Sequence, residues 1–140
     1  MTPAAASTAN LLPEGRPLVN LDLIRWHLGA SAVLLLISLL GGLAYAFQFL
    51  NLYPFEGVAL LSPGRVRMVH TNMAAYGFIA NAFIAGMLFA IPRLTLRPIL
   101  DDRLGWLIFW AWQLFMALTI GGQLAGYGQA IEWGETPIFV

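Results

Sequence analysis

Three long apolar stretches constrain this chain more than any other feature. They run from about Leu23 to Leu50, from about Val66 to Ile91 and from about Leu104 to Ile131. A helix needs about 20 mainly apolar residues to cross the hydrocarbon core of a bilayer, and each stretch is longer than that. Inside hydrocarbon the backbone must satisfy its own polar groups, so the stretches predict membrane-spanning helices. Composition agrees: 59% of residues are hydrophobic and 10% are charged, where a soluble domain carries roughly 25% charge. The expected fold class is all-α, a membrane protein of three transmembrane helices. Residues 1–21, rich in Ala, Ser, Thr and Pro, read as a mobile tail, and residues 22–140 as the folded portion. The tail lacks the charged start and compact apolar core of a secretory signal, so the first span is expected to stay in the mature protein.

Punctuation between the spans is clear. Asn51, Pro54, Gly57, Ser62, Pro63 and Gly64 mark a loop after the first span. Pro92 is expected to end the second span, and Asp102 to cap the third. Arg16, Arg25, Arg93, Arg97 and Arg103 fall on one side, and Arg65 and Arg67 on the other. The positive-inside rule then gives an N-in, C-out chain. Trp26 and Trp106 fall near the inner interface and Trp133 near the outer one, as an aromatic belt would place them.

Several classes of function are excluded. The formal net charge is zero, so there is no basic footprint for nucleic acid. There is no cysteine, hence no disulfide, zinc thiolate site or iron–sulfur cluster. No nucleophile–base pair and no phosphate-binding glycine loop is present.

The residue that stands out is His70, a turn inside the second span, in Gly64-Arg65-Val66-Arg67-Met68-Val69-His70-Thr71-Asn72. A histidine at that depth needs a partner. Arg65 and Arg67, read as a loop just before it, point to a partner with negative charge. A haem, with iron and propionates, meets both demands. His27 cannot share its iron: the two histidines start spans at opposite faces of a core about 30 Å thick, whereas two iron–nitrogen bonds of about 2 Å bridge about 4 Å. His27 reads as an interfacial residue. Ala74, Gly77, Asn81 and Ala85 follow His70 on one narrow face of small residues, which favours helix packing, with Asn81 as interhelical glue. Gly122 and Gly126 have the small-xxx-small spacing of a helix contact, and Gln113 and Gln123 should face protein.

The His70 stretch, with Gly77-Phe78, Asn81-Ala82 and Pro92-Arg93-Leu94-Thr95, resembles the catalytic subunit of cbb3-type cytochrome c oxidases, within the haem–copper oxidase superfamily. Phe109-Trp110-Ala111-Trp112-Gln113-Leu114 and Gly128-Gln129-Ala130-Ile131-Glu132-Trp133-Gly134-Glu135 look like the third helix of that family and the acidic segment after it. The likeness covers about Val66 to Pro137.

The resemblance implies a site. His70 would be one axial ligand of the low-spin haem b, and Arg67 would lie near its propionates. Glu132 would belong to a calcium site bridging propionates, with Glu135 near it. Such subunits span the membrane about twelve times, and their high-spin haem b and copper are held by later helices. The chain is then expected to be the first three helices of a longer subunit in a bacterial inner membrane. Its partners would be the remaining helices of that subunit, cytochrome c-type companion subunits and lipid. The complete enzyme would pass electrons from cytochrome c to oxygen and pump protons. The nearest rival is the large subunit of a nitric oxide reductase. A rival of another kind is a non-catalytic anchor binding haem across a homodimer.

Overall fold

The structure, a computed structural model, describes residues 17–98, 101–129, 135–137 and 139. The described chain has three helices long and apolar enough to cross a membrane. They are α1 (Leu21–Ala46), α2 (Pro63–Thr95) and α3 (Asp102–Ala125). A single 3-10 turn, Phe47–Leu50, extends α1, and another, Ala59–Leu61, lies in the loop before α2. Tyr53 donates to the Leu61 carbonyl at 2.6 Å across that loop. Burial pushes the Tyr53 phenol up, which keeps the donor proton in place.

The helix ends refine the expected boundaries. Asn20 caps α1 by accepting from the Leu23 N–H at 3.0 Å. Leu18 and Val19, assigned by sequence to the tail, are instead buried with Ile24 and Ala85, so packing begins before Leu21. Residues 1–16 lie outside the described residues. α2 begins at Pro63, whose missing N–H costs nothing in a first turn. Arg65 and Arg67 therefore sit in the helix and not on a loop. Pro92 does not end α2: the helix runs one turn further and stops where Leu96 turns left-handed, at φ 53°. The cap of α3 is Asp101, not Asp102; its carboxylate accepts from the Arg103 N–H at 2.8 Å. α3 also ends earlier than its hydropathy predicts. Gly126, at φ +95°, closes a Schellman motif in which Tyr127 N–H donates to Gly122 O and Gly126 N–H to Gln123 O. Ile131 and Trp133 lie outside the described residues.

Packing follows membrane logic, with polar side chains inside and leucines outside. His27, Ser31, Ser38, Asn72, Asn81, Thr119, Gln123 and Glu135 are buried, while Val33, Leu36, Leu39, Leu40 and Leu43 of α1 are exposed. Three polar pairs zip α1 to α2. His27 meets Asn81 at 3.0 Å, Ser31 donates to the Phe78 carbonyl at 3.0 Å, and Ser38 donates to the His70 carbonyl at 2.9 Å. The residue numbers rise on α1 as they fall on α2, so the helices are antiparallel. Between these rungs Gly77 lies against Leu34, which a side chain at 77 would crowd. The small face at Gly77, Asn81 and Ala85 thus packs on α1, as its spacing predicts.

The middle of α2 is a π-helix, Met73–Ile79. Such segments widen the helix and turn carbonyls away from its own N–H groups. The released carbonyls find donors. Tyr76 O accepts from Trp112 Nε1 of α3 at 3.1 Å, Gly77 O from Asn81 Nδ2 at 2.7 Å, and Phe78 O from Ser31 of α1. Gln113 of α3 donates to Asn81 Oδ1 at 2.9 Å, so both glutamines face protein as expected.

Of the two spaced glycines of the third span, Gly126 packs on a side chain of α2 and Gly122 on the segment after α3. A Cβ on Gly122 would overlap Pro137, and one on Gly126 would meet the Arg65 guanidinium at 2.6 Å. Gly121, by contrast, faces open space. Gly122→Ala should therefore destabilise the protein by about 1–3 kcal/mol through overpacking, while Gly121→Ala should be neutral or stabilise by up to about 1 kcal/mol. Thermal unfolding of the two detergent-solubilised variants checks this, and equal midpoints would contradict the packing.

Candidate functional site

His70 lies on the α1-facing side of α2, half-buried, just before the π segment. Its Nδ1 is 2.7 Å from the Ser38 carbonyl oxygen and 3.1 Å from the Ser38 hydroxyl. The Ser38 hydroxyl spends its hydrogen on the His70 carbonyl. A carbonyl oxygen only accepts, so Nδ1 must carry the N–H. In the neutral ring, Nε2 then presents a lone pair, and no hydrogen bond engages Nε2 among the described residues. The ring lies flat on α1 over Gly42, where a Cβ would come within 2.6 Å of Cε1 and 2.8 Å of Nδ1. Only glycine leaves the imidazole this place. An imidazole whose far nitrogen donates to a carbonyl, leaving the near one free, has the tautomer of a metal-ligating histidine.

Around it stands a second group of residues that ties the segment after α3 to the first turns of α2. Glu135 is 3% exposed. Its Oε1 accepts from Arg67 Nη2 at 2.6 Å, and its Oε2 accepts from Asn72 Nδ2 at 3.0 Å. Thr71 Oγ1 lies 3.0 Å from the same Oε2, though its one hydrogen also has the Met68 carbonyl at 3.0 Å. Charge-assisted bonds of this kind hold a carboxylate firmly. The glutamate backbone is held as well, since Gln129 N–H donates to its carbonyl at 3.3 Å. Arg65 has a different task. Its Nη1 donates to the Leu124 carbonyl at 2.7 Å and places a cation at the negative end of α3.

The structure thus brings together two of the expected site residues, Arg67 and Glu135, one turn from His70. Glu132 lies outside the described residues. Glu135 as placed accepts from Arg67 at one oxygen and from Asn72 at the other. Among the described residues no group of three His, Asp or Glu could hold a metal ion.

His27, read from its position near a span start as interfacial, does not lie open on the protein surface. It is fully buried, with Asn81 on one side and the Phe109 ring edge-on at 4.9 Å on the other. It bonds α2 far from His70. Ser38, the partner of His70, is 11 residues further along α1, about 16 Å at 1.5 Å per residue. One iron therefore cannot take both histidines, as the sequence implied. Sequence reasoning missed Ser38 and Gly42. Their signal was present: a lone hydroxyl and a glycine four residues apart, one helical turn, in an otherwise leucine-rich run.

The geometry leaves a half-buried histidine with one free ring nitrogen, and a guanidinium a turn away, in a bundle of three helices long and apolar enough to cross a membrane. The sequence matches the family described as Cytochrome C and Quinol oxidase polypeptide I over residues 22–138, and the chain belongs to that family. It is 30% identical over 105 residues to a cytochrome c oxidase subunit 1 homolog of Agrobacterium tumefaciens (strain T37), which covers 75% of this chain. It is 32% identical over 101 residues to a cytochrome c oxidase subunit 1 of Rhodobacter capsulatus, which covers 71% of this chain. The match spans 19% of the length of each of these relatives. No solved structure matches.

The bonding around Glu135 sets an expectation for stability. Glu135→Ala leaves Arg67 and Asn72 without their acceptor and should cost about 1–3 kcal/mol. Thermal unfolding of the purified protein measures it, and an unchanged midpoint would show that this carboxylate anchors nothing.

Proposed function

We propose that this chain supplies an axial ligand of a low-spin haem b in the catalytic subunit of a cbb3-type terminal oxidase. The observation that carries the reading is the tautomer of His70. Ser38 holds Nδ1–H, so Nε2 is the nitrogen offered to iron. Haem iron is commonly held by a neutral histidine nitrogen, and the bound haem would supply one-electron transfer. Gly42 fixes the plane of the imidazole, and the Ser38 carbonyl raises its basicity by accepting from the far nitrogen.

Arg67 is the cation of choice for haem propionates. Its side chain is 41% exposed, so part of the guanidinium remains open beyond the Glu135 pair. Glu135 would orient this arginine. With Glu132, it would also stand near a calcium ion bridging the propionates. Within the complete subunit, the remaining helices would supply the second ligand of this haem, the high-spin haem b and copper. Electrons would then pass from cytochrome c-type companion subunits to oxygen, coupled to proton pumping. The arginine distribution supports an N-in, C-out chain in a bacterial inner membrane, with His70, Arg67 and Glu135 on the outer side.

In the full-length subunit, His70→Ala should abolish the low-spin haem band in the reduced-minus-oxidised visible spectrum. An unchanged band would rule out His70 as a ligand. A subtler pair tests the geometry. Gly42→Ala must push the imidazole off α1 and should shift or broaden that band. Gly41→Ala places its Cβ 3.6 Å from the His70 Cβ, an ordinary contact, and should leave the band in place.

A further inference from the structure

His27 is a buried imidazole that the haem site does not use. It is 0% exposed, and among the described residues its Nε2 has no hydrogen-bond partner. The other nitrogen decides what Nε2 is. Asn81 Nδ2 donates to the Gly77 carbonyl at 2.7 Å, which fixes the amide orientation. Asn81 therefore turns Oδ1 to His27, at 3.0 Å from Nδ1, and the same oxygen accepts from Gln113 at 2.9 Å. An amide oxygen does not donate, so His27 Nδ1 carries a hydrogen. Nε2 of the neutral ring is then a bare lone pair, sealed inside the membrane-spanning part of the protein.

A single nitrogen is a poor metal site, and no second ligand joins it among the described residues. What a lone imidazole nitrogen does take is a proton or the O–H of water. The helices packed on His27 offer no fixed countercharge. Asp22 and Arg25 of α1 are exposed and pair with each other at 3.1 Å. Arg93 of α2 lies over the Phe89 ring, and Asp102 and Arg103 of α3 are exposed. The groups that touch the ring, Asn81 and Phe109, are neutral, as is Gln113 behind Asn81. A groove of about 520 Å³ between α1 and α3 is lined by Arg25, Trp26, Ala30, Leu34, Phe109 and Gln113. Phe109 and Gln113 thus belong both to this groove and to the surroundings of His27.

We propose that His27 is an intramembrane proton-accepting site, loaded through a water molecule at Nε2. The proton moves from a hydronium ion to the Nε2 lone pair, which leaves water and makes an imidazolium. It leaves by the same atom, because Asn81 keeps the Nδ1–H throughout and an amide does not relay it. The residue therefore stores and returns a proton through one port. Asn81 Oδ1 stabilises the charged form, and Gln113 competes for that same oxygen.

The test is infrared difference spectroscopy of the full-length protein with ring-labelled histidine, from about pH 5 to about pH 9, a window that brackets the ordinary imidazole range. The wild type should show a pH-dependent ring band that His27→Gln removes. Gln113→Leu, which frees Asn81 Oδ1 for His27 alone, should move the midpoint of that band to higher pH. Identical difference spectra for wild type and His27→Gln overturn the proposal. If His27→Gln does not fold, a Gln113→Leu spectrum superimposable on the wild type overturns it. The band is a property of the imidazole and is read without reference to haem, so its absence leaves the role of His70 untouched.

Discussion

Polar groups in hydrocarbon have nowhere to go but to each other. That constraint organises this protein. Water is absent from the membrane core, so an unpaired hydroxyl, amide or imidazole there is costly. Apolar surface gains little by meeting other apolar surface in lipid. The specific forces between α1 and α2 are therefore small-residue packing and hydrogen bonds. The rungs from His27 to Asn81, Ser31 to Phe78 and Ser38 to His70 set the register of the two helices. Sliding α1 by one residue would break all three at once.

The same rungs build the site. Ser38 does two jobs with one residue: its hydroxyl binds the α2 backbone and its carbonyl selects the His70 tautomer. Gly42 lets the ring lie where that carbonyl can reach it. The π segment that follows opens three carbonyls in a row to α1, α2 and α3, so the helix carrying His70 is pinned from both neighbours. At its first turns, Glu135 holds Arg67 and Asn72, and Arg65 closes the end of α3. An imidazole held in this way would keep its orientation if it bound a metal.

How much of this the sequence revealed depends on the range of the signal. Hydropathy is summed over about 20 residues, and it gave three helices without ambiguity. It could not see that Gly126 would stop α3 inside its apolar run, because a left-handed turn is a property of one residue and its backbone bonds. Pro92 misled in the opposite direction, since α2 runs through it to Thr95 and stops only where Leu96 turns left-handed. His70 and Arg67 were legible as isolated polar residues in an apolar setting. Ser38 was equally isolated but lay on another span, and only the antiparallel register joins it to His70. The burial of His27 was hidden for the same reason: it depends on Asn81, Phe109 and Gln113, none of which is near it in sequence.

The central claim is that the Ser38 carbonyl holds the Nδ1–H of His70 and so turns Nε2 toward iron. Pulsed electron paramagnetic resonance of the oxidised low-spin centre tests it directly, in full-length subunit carrying histidine labelled with 15N at Nδ1 only. The account predicts that the labelled nitrogen of His70 shows the weak coupling of a remote nitrogen, with a proton that exchanges slowly into heavy water. Strong coupling of the labelled nitrogen, the mark of direct coordination through Nδ1, would contradict it.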